Sequence, residues 1–279
     1  MCIVEISLSQ ATEIRSYGLC HSVQGTAQNL ANYLRVPVSE LTYLCAGINH
    51  MAWFLQIRAA GEDAYPALRN IAASRASVFE VSRYESEYSA AGIKLVDFVR
   101  FEIMKHFGYF VAESPFHMSE YVPYFRKNQE QIKSFCIEER WWLEHEKSKN
   151  RELERANKSI DSKEQILLEK SKEYLPDVIH ALESGALFKA NLNVPNTNLI
   201  PNLPQKSCVE VPCMVDSSGI HPCYVGELPE QCAALNRSNI NVQILAAQAA
   251  LEKNRQRKIE CIMQAVKVDP LTSSLLTLE

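Results

Sequence analysis

The sequence of 279 residues lacks a long hydrophobic run. No stretch approaches the roughly 20 consecutive apolar residues that a membrane-spanning helix requires. Its opening residues, MCIVEISLSQ, also lack the basic start and the long apolar core of a secretion signal. These absences argue against an integral membrane protein, and we expect a cytoplasmic protein with no membrane partner.

The sequence also lacks an excess of basic residues and a regular cysteine pattern. Its formal net charge of −4 argues against a protein built to bind nucleic acid, because such proteins present basic surfaces. The nine cysteines are an odd number, are spread through the chain and form no tight CxxC pair, which favours free thiols over a disulfide framework. Neutral or sugar-like ligands remain open.

Residues 128–172 form a charged segment with almost no proline or glycine. Acidic and basic side chains alternate without a basic face, so the pattern predicts an exposed helix. Trp141 and Trp142 lie within it, but adjacent residues of a helix point about 100° apart, which disfavours a common sugar-stacking platform. We expect these side chains to pack against a partner subunit in a homo-oligomer.

Hydrophobic periodicity predicts a mixed α/β protein with an antiparallel sheet in its second half. The predicted strands are 17–20, 43–46, the segment HMAWFLQIRA, 190–194, 208–216 and 221–225. The predicted helices are 26–34, 39–41, 65–73, 92–106, 172–184 and 230–268, the last with an interruption near 236–239. Gly108 and Gly185 are predicted to end two of these helices.

Two soft ligand groups fall at predicted strand ends. Cys20 lies between a strand and a helix, and His50 occupies the turn between two strands. A thiolate and an imidazole suit a divalent transition metal, and a site with few protein ligands leaves positions for substrate oxygens. Each residue alone is more often a buried thiol or a hydrogen-bonded structural histidine than a ligand. Their shared position at strand ends is what favours a metal site.

Several motifs carry a resemblance to a known family. They are GLCHSVQGTA, CAGINHMAWFL, VRFEIMKHFGYFVAES, NLPQKSCVEVPCMVDSSGI and NINVQ. Together they resemble the NAD- and manganese-dependent glycoside hydrolases of family 4, and among these the melibiose-type α-galactosidases. The resemblance runs from about Tyr17 to Ser274.

The resemblance implies roles for three residues and two cofactors. Cys20 and His50 would bind Mn²⁺, and His21 would be the proton donor to the leaving group. Family members that act on phosphorylated sugars commonly carry Asp or Asn at the position of His21, so the histidine implies an unphosphorylated substrate. Bound NAD would take hydride from C3 of the sugar, and a base would then remove the acidified C2 proton. Elimination at C1, addition of water and return of the hydride would complete hydrolysis.

The departures from the family pattern concern NAD and the base. The sequence contains no G-x-G-x-x-G turn, so we expect the C-terminal catalytic domain of a lactate/malate dehydrogenase-like type at 17–279, an atypical remnant at 1–16, and a missing Rossmann domain. The expected activity is hydrolysis of melibiose-like α-galactosides with NAD and Mn²⁺, with this chain as a truncated catalytic half that is inactive on its own. One alternative is a non-catalytic remnant or an assembly half that needs a separate NAD-binding chain. Another, which the metal motif disfavours, is a dehydrogenase substrate domain.

The base that removes the C2 proton is not evident in the sequence. The position that corresponds to the family base falls near Ser114, which has no suitable side chain. Its neighbours Glu113 and His117 are the candidates, with Tyr109 and Tyr121 behind them. A solvated or structural role for each of these residues stays open.

Overall fold

A computed structural model describes residues 2–10, 13, 15–82, 96–137, 141–162 and 173–273. The helices within these ranges are α1 (Cys2–Gln10), α2 (Ser22–Leu34), α3 (Tyr65–Ala72), α4 (Arg75–Ser82), α5 (Phe98–Phe107), α6 (Pro115–Met118), α7 (Gln129–Ser134), α8 (Trp141–Ser162), α9 (Leu175–Ser184), α10 (Glu230–Leu251), α11 (Arg255–Val268) and α12 (Pro270–Ser273), with a 3-10 turn at Val38–Glu40. The strands are β1 (Leu41–Ile48), β2 (Met51–Ala59), β3 (Glu62–Asp63), β4 (Phe110–Val111), β5 (Phe188–Pro195), β6 (Cys208–Asp216) and β7 (Gly219–Pro222). None of the helices in the described ranges combines the length and the apolar character needed to cross a bilayer.

The strands form one antiparallel sheet. Its order is β3-β2-β1-β6-β5, with β4 beside β2 and β7 beside β6. The contact between β1 and β6 joins the two halves of the chain, because β1 belongs to the first hairpin and β6 lies far along the sequence. The predicted α/β class with an antiparallel sheet and packing helices is confirmed.

Hydrophobic residues cover both faces of this sheet. Alternate residues of a strand point to opposite faces, so Ala46 and Ile48 of β1 enter one core and Cys45 enters the other. Val209 and Val211 of β6 join the core of Ala46 and Ile48. A polar side chain in the middle of β1 or β6 is therefore removed from water on whichever face it lies.

The hairpin of β1 and β2 has a two-residue turn at Asn49 and His50, as predicted. His50 adopts a left-handed backbone with φ of 63°, and Gly47 has φ of 155°. A Cβ added at Gly47 would lie 2.5 Å from the carbonyl oxygen of Met51, so only glycine lets the two strands approach here. The hairpin thereby fixes the position of His50.

Three predictions of local structure are wrong. Residues 17–20 make only an isolated bridge between Gly18 and Asn193, because the segment crosses the end of β5 and turns into α2. The third strand of the second half is Gly219–Pro222 rather than 221–225, since it hydrogen-bonds back to β6 through a tight turn. The predicted helix 92–106 begins at Phe98 within the described residues, and 92–95 lie outside them.

The predicted break near 236–239 is also wrong, because the C-terminal helix is interrupted at 252–254 instead. Asparagine competes for backbone hydrogen bonds when its side chain has no other partner. Here Asn236 accepts from the indole of Trp53 at 2.9 Å and donates to Met51 O at 2.7 Å, while Asn239 donates to Tyr121 O at 3.1 Å. Tertiary contacts satisfy both side chains, and the helix continues.

The segment before residue 17 contributes a helix that lies against the rest of the chain. Cys2 of α1 contacts Gln243 O of α10, and Glu5 accepts from the backbone N–H of Cys208 at 3.2 Å. The division into 1–16 and 17–279 stays a prediction. The exposed helix predicted at 128–172 is not one element, because α7 ends at Ser134 and residues 135–137 are not helical. Its main part corresponds to α8, which begins at Trp141, and residues 138–140 and 163–172 lie outside the described residues.

Candidate metal and catalytic centre

Three potential ligands converge where the loop before α2, the β1–β2 turn and the loop after β4 meet. The ligand atoms of Cys20, His50 and Glu113 all lie within 4.8 Å of one another. The sequence predicted the first two as a metal pair and Glu113 only as a possible base. The fold thus brings a third donor to the pair.

Tyr174 fixes the backbone at Cys20. Its hydroxyl accepts from the Cys20 N–H at 3.0 Å and donates to the Cys20 carbonyl oxygen at 3.1 Å. Burial raises the pKa of Tyr174 to about 12, so the phenol keeps its proton for this second bond at neutral pH. The Cys20 thiol contacts Ser22 Oγ at 3.3 Å. One side chain from a distant helix therefore holds both polar groups of the cysteine backbone.

The two ring nitrogens of His50 face different partners. Nδ1 lies 3.0 Å from the Tyr121 hydroxyl, and Nε2 lies 3.4 Å from Glu113 Oε2. A histidine that binds a metal through one nitrogen usually hydrogen-bonds through the other, which sets its orientation. Nε2 is accordingly the nitrogen presented to the cluster. Burial, together with the charges of Glu113 and Glu120, raises the pKa of Tyr121 to about 12.

Glu113 is held in an uncommon backbone conformation. Its φ is 118°, which non-glycine residues rarely adopt. Buried Arg100 donates to the Glu113 carbonyl oxygen at 2.8 Å, and Thr26 Oγ1 accepts from Glu113 N–H at 3.4 Å. Arg100 is itself paired with buried Asp97 at 2.7 Å. Such outliers occur where the surrounding structure imposes them, often at functional sites.

The other predicted site residues lie around the cluster. His21 is the N-cap residue of α2, and its Nε2 lies 2.7 Å from Glu173 Oε2. The ring of His117 lies 5.7 Å from the ring of His50, centroid to centroid. Ser114 caps α6 by accepting from the His117 N–H. Tyr109 contacts the ring of Tyr65 instead. Catalytic roles for these residues stay predictions.

Sequence reasoning missed Glu210. Its side chain is fully buried in β6, and neither carboxylate oxygen has a hydrogen-bond partner. Burial raises the pKa of Glu210 well above its ordinary value, and the negative charges of Cys20 and Glu113 raise it further while His50 lowers it. The only signal in the sequence is an acidic residue between two valines, which by itself reads as the exposed position of a strand.

The donor set fits a divalent transition ion. A thiol, an imidazole and a carboxylate are the ligand types that borderline metals accept, and three protein ligands leave coordination positions open, as in catalytic centres. An unpartnered buried carboxylate close by is a second sign that positive charge belongs here.

The sequence is similar to two curated alpha-galactosidases. The chain is 38% identical over 270 residues to an alpha-galactosidase of Bacillus subtilis (strain 168), which covers 96% of this chain and 58% of that protein. It is 30% identical over 285 residues to an alpha-galactosidase of Rhizobium meliloti (strain 1021), with 96% and 53% covered. The chain thus spans little more than half the length of these relatives.

A solved structure shares the fold. The crystal structure of a 6-phospho-alpha-glucosidase from gut microorganisms, in complex with NAD and Mn²⁺, superposes with a TM-score of 0.72 at 16% identity and covers 98% of this chain and 61% of that one. Residues 45–272 match the family described as the family 4 glycosyl hydrolase C-terminal domain. That match covers most of the sequence and includes His50 and Glu113 but not Cys20. The chain belongs to the family 4 glycosyl hydrolases.

Proposed function

We propose that the protein containing this chain hydrolyses α-galactosides with the help of Mn²⁺ and NAD. The convergence of Cys20, His50 and Glu113 is the observation that carries the proposal. The 38% identity to an alpha-galactosidase supports the choice of sugar. The solved 6-phospho-alpha-glucosidase of the same fold, which is in complex with NAD and Mn²⁺, supports the cofactors. His21 in place of an acid supports an unphosphorylated substrate such as melibiose.

Cys20, His50 and Glu113 would hold Mn²⁺. When bound, the ion would supply Lewis-acid stabilisation of sugar oxygens. Tyr121 orients His50 through Nδ1, and Arg100 holds the loop that carries Glu113. A carboxylate used as a ligand is no longer available as a base, so we assign Glu113 to metal binding rather than to proton abstraction.

Two other histidines, His21 and His117, would transfer protons. His21 would donate to the departing glycosidic oxygen, with Glu173 holding the ring at 2.7 Å. His117, whose ring lies 5.7 Å from that of His50, is our candidate for removing the C2 proton. Glu120 Oε2 lies 4.0 Å from Nδ1 of His117.

The sequence of this chain offers no recognisable motif for binding NAD. The sequence has no glycine-rich G-x-G-x-x-G turn at a helix start to receive a pyrophosphate. We propose that NAD is held by residues outside 1–279, in the same protein or in a separate chain. A homo-oligomeric state and a cytoplasmic location remain parts of the proposal that rest on the sequence.

The test uses hydrolysis of aryl α-galactosides by the protein together with its nucleotide-binding part. Cleavage should require both NAD and Mn²⁺ and should slow when the sugar carries deuterium at C2, whereas an aryl α-glucoside should react poorly. Activity that persists without NAD would indicate an ordinary hydrolase and contradict the proposal.

Two variants separate the proton roles. His21→Gln should lose most activity on substrates with poor leaving groups and little on activated aryl galactosides, because an activated oxygen needs no proton. His117→Gln should abolish exchange of the C2 proton with solvent. His106→Gln, an exposed histidine paired with Glu102 on α5, is the matched control and should behave as wild type. Unchanged C2 exchange in His117→Gln would exclude it as the base.

A further inference from the structure

Glu210 is a buried acidic side chain for which the described residues provide no hydrogen-bond partner. It is 0% exposed, and both of its carboxylate oxygens lack a hydrogen-bond partner. An ionised carboxylate removed from water without partners costs several kcal/mol or more. An ionised Glu210 in the folded protein therefore requires a hydrogen-bond donor or a cation next to its carboxylate oxygens.

The sheet register places Glu210 beside the candidate metal centre. Glu210 stands opposite Gly47 of β1 on one side and Asn193 of β5 on the other, and Asn193 in turn bridges to Gly18. Gly47 lies three residues before His50, and Gly18 lies two residues before Cys20. One row across the sheet therefore connects the two segments that carry predicted ligands, with Glu210 at its centre.

The polar atoms in this row lie on one face. Residues directly opposite in an antiparallel pair share a face, so the side chains of Glu210 and Asn193 point the same way, away from Val209 and Val211. Asn193 is also fully buried, and its Oδ1 likewise has no partner. The two glycines add no side chain to the row. An unsatisfied carboxylate and an unsatisfied amide oxygen thus share a buried, polar position.

Glu210 lies near the cluster of Cys20, His50 and Glu113 but is not part of it. The row across the sheet brings it next to the segments that carry Cys20 and His50. Among the described residues, the group of ligand atoms within 4.8 Å of one another contains those three residues and not Glu210. A carboxylate that neighbours metal ligands without being one of them can reach the metal through an intervening oxygen rather than directly.

We propose that Glu210 is a positioning residue that accepts a hydrogen bond from an oxygen ligand of the divalent cation, either water or a sugar hydroxyl. The inference rests on the proposed metal site. It explains why both Glu210 oxygens are unpartnered within the chain, since their partner arrives with the ion.

The experiment measures Mn²⁺ binding to the 279-residue chain without NAD or sugar, from the electron paramagnetic resonance signal of free Mn²⁺. Glu210→Gln keeps the shape and removes the charge, and we expect it to weaken binding about 10- to 100-fold, as for other outer-shell partners. Glu5→Gln is the matched control because Glu5 is a partly buried carboxylate that contacts the same strand at Cys208, and it should bind as wild type. The metal-free Glu210→Gln protein should unfold close to the wild-type temperature, because the amide keeps the size and shape of the side chain.

Two further variants distinguish the possible failures. Cys20→Ser should abolish the thiolate-to-metal absorption seen with Co²⁺, whereas Glu210→Gln should retain that absorption at higher Co²⁺ concentration. If Cys20→Ser loses binding and Glu210→Gln binds Mn²⁺ as wild type, the role of Glu210 is wrong and the metal site stands. If the wild type and Cys20→Ser bind alike, the metal site itself is wrong and this inference goes with it. Glu210→Asp provides a second variant in case the amide variant misfolds. Its shorter side chain moves the carboxylate away from the metal and should also weaken Mn²⁺ binding. Wild-type affinity in Glu210→Asp would contradict the proposal.

Discussion

Replacing Arg100 by Met tests whether a buried ion pair supports the loop that carries Glu113. The side chain of Arg100 is 1% exposed and that of Asp97 is 0% exposed. Arg100 makes contacts of 2.7–2.9 Å to both oxygens of Asp97, 2.9 Å to Thr26 Oγ1 and 2.8 Å to the Glu113 carbonyl oxygen. Methionine fills much of the space but leaves the Asp97 charge buried without its partner.

Removing one partner of a buried pair costs about 3–5 kcal/mol, and we expect the free energy of unfolding to fall by that amount. Urea unfolding followed by circular dichroism is the assay. Lys105→Met, which breaks an exposed pair with Glu102, is the control and should cost no more than about 1 kcal/mol. The double variant Asp97→Asn/Arg100→Met should recover at least half of the loss, because no charge is left buried. A loss below about 1 kcal/mol in Arg100→Met would refute the argument.

The remaining predictions concern the metal, the hairpin and alkaline pH. Cys20→Ser and His50→Ala should each bind Mn²⁺ more weakly than wild type, and the rise in unfolding temperature on adding Mn²⁺ should shrink accordingly; equal shifts in all three proteins would exclude the site. Gly47→Ala should lower the free energy of unfolding, measured by urea denaturation, by about 1–3 kcal/mol, because the added Cβ would lie 2.5 Å from a backbone oxygen. Gly61→Ala is the control, since an added Cβ there has nothing within 4 Å and should cost only the strain of the positive φ. Burial raises the pKa of Tyr43 in the folded protein from 10.0 to about 12. The stabilisation from its neutral form is complete below pH 10 and is lost as the pH rises towards 12, so Tyr43→Phe should lose less stability than wild type over that interval in unfolding titrations; parallel pH profiles would contradict this.

The sequence was sufficient to predict what neighbouring residues determine. The turn at His50 follows from two β-rich segments that meet at a polar pair, and α2 follows from its helical spacing. Gly108 and Gly185 end their helices in left-handed conformations, as their positions predict. The antiparallel pairing of β5 with β6 likewise follows from short β segments between proline and asparagine turns.

Contacts between distant segments could not be predicted in the same way. Glu113 joins Cys20 and His50 only because β4 pairs with β2 and Arg100 holds the following loop. Glu210 looks exposed in the sequence because alternation does not reveal that helices and loops cover both faces of β6. The helix through Asn236 continues because Trp53 and Met51 satisfy its side chain, and neither partner is near it in sequence.

The order in which the centre's parts emerge during synthesis has a consequence for when an ion can be captured. Cys20 is held by Tyr174, and β1 gains its second neighbour only when β6 has been made. Glu210 follows Cys20 by 190 positions, which a ribosome adds in about 10–40 s. For most of that interval the Cys20 thiol is present without Tyr174, and for all of it the thiol is present without the completed strand β6. The nascent chain therefore carries the Cys20 thiol without its supporting contacts well before the proposed metal centre is complete, and on the proposal selective metal loading requires the finished fold.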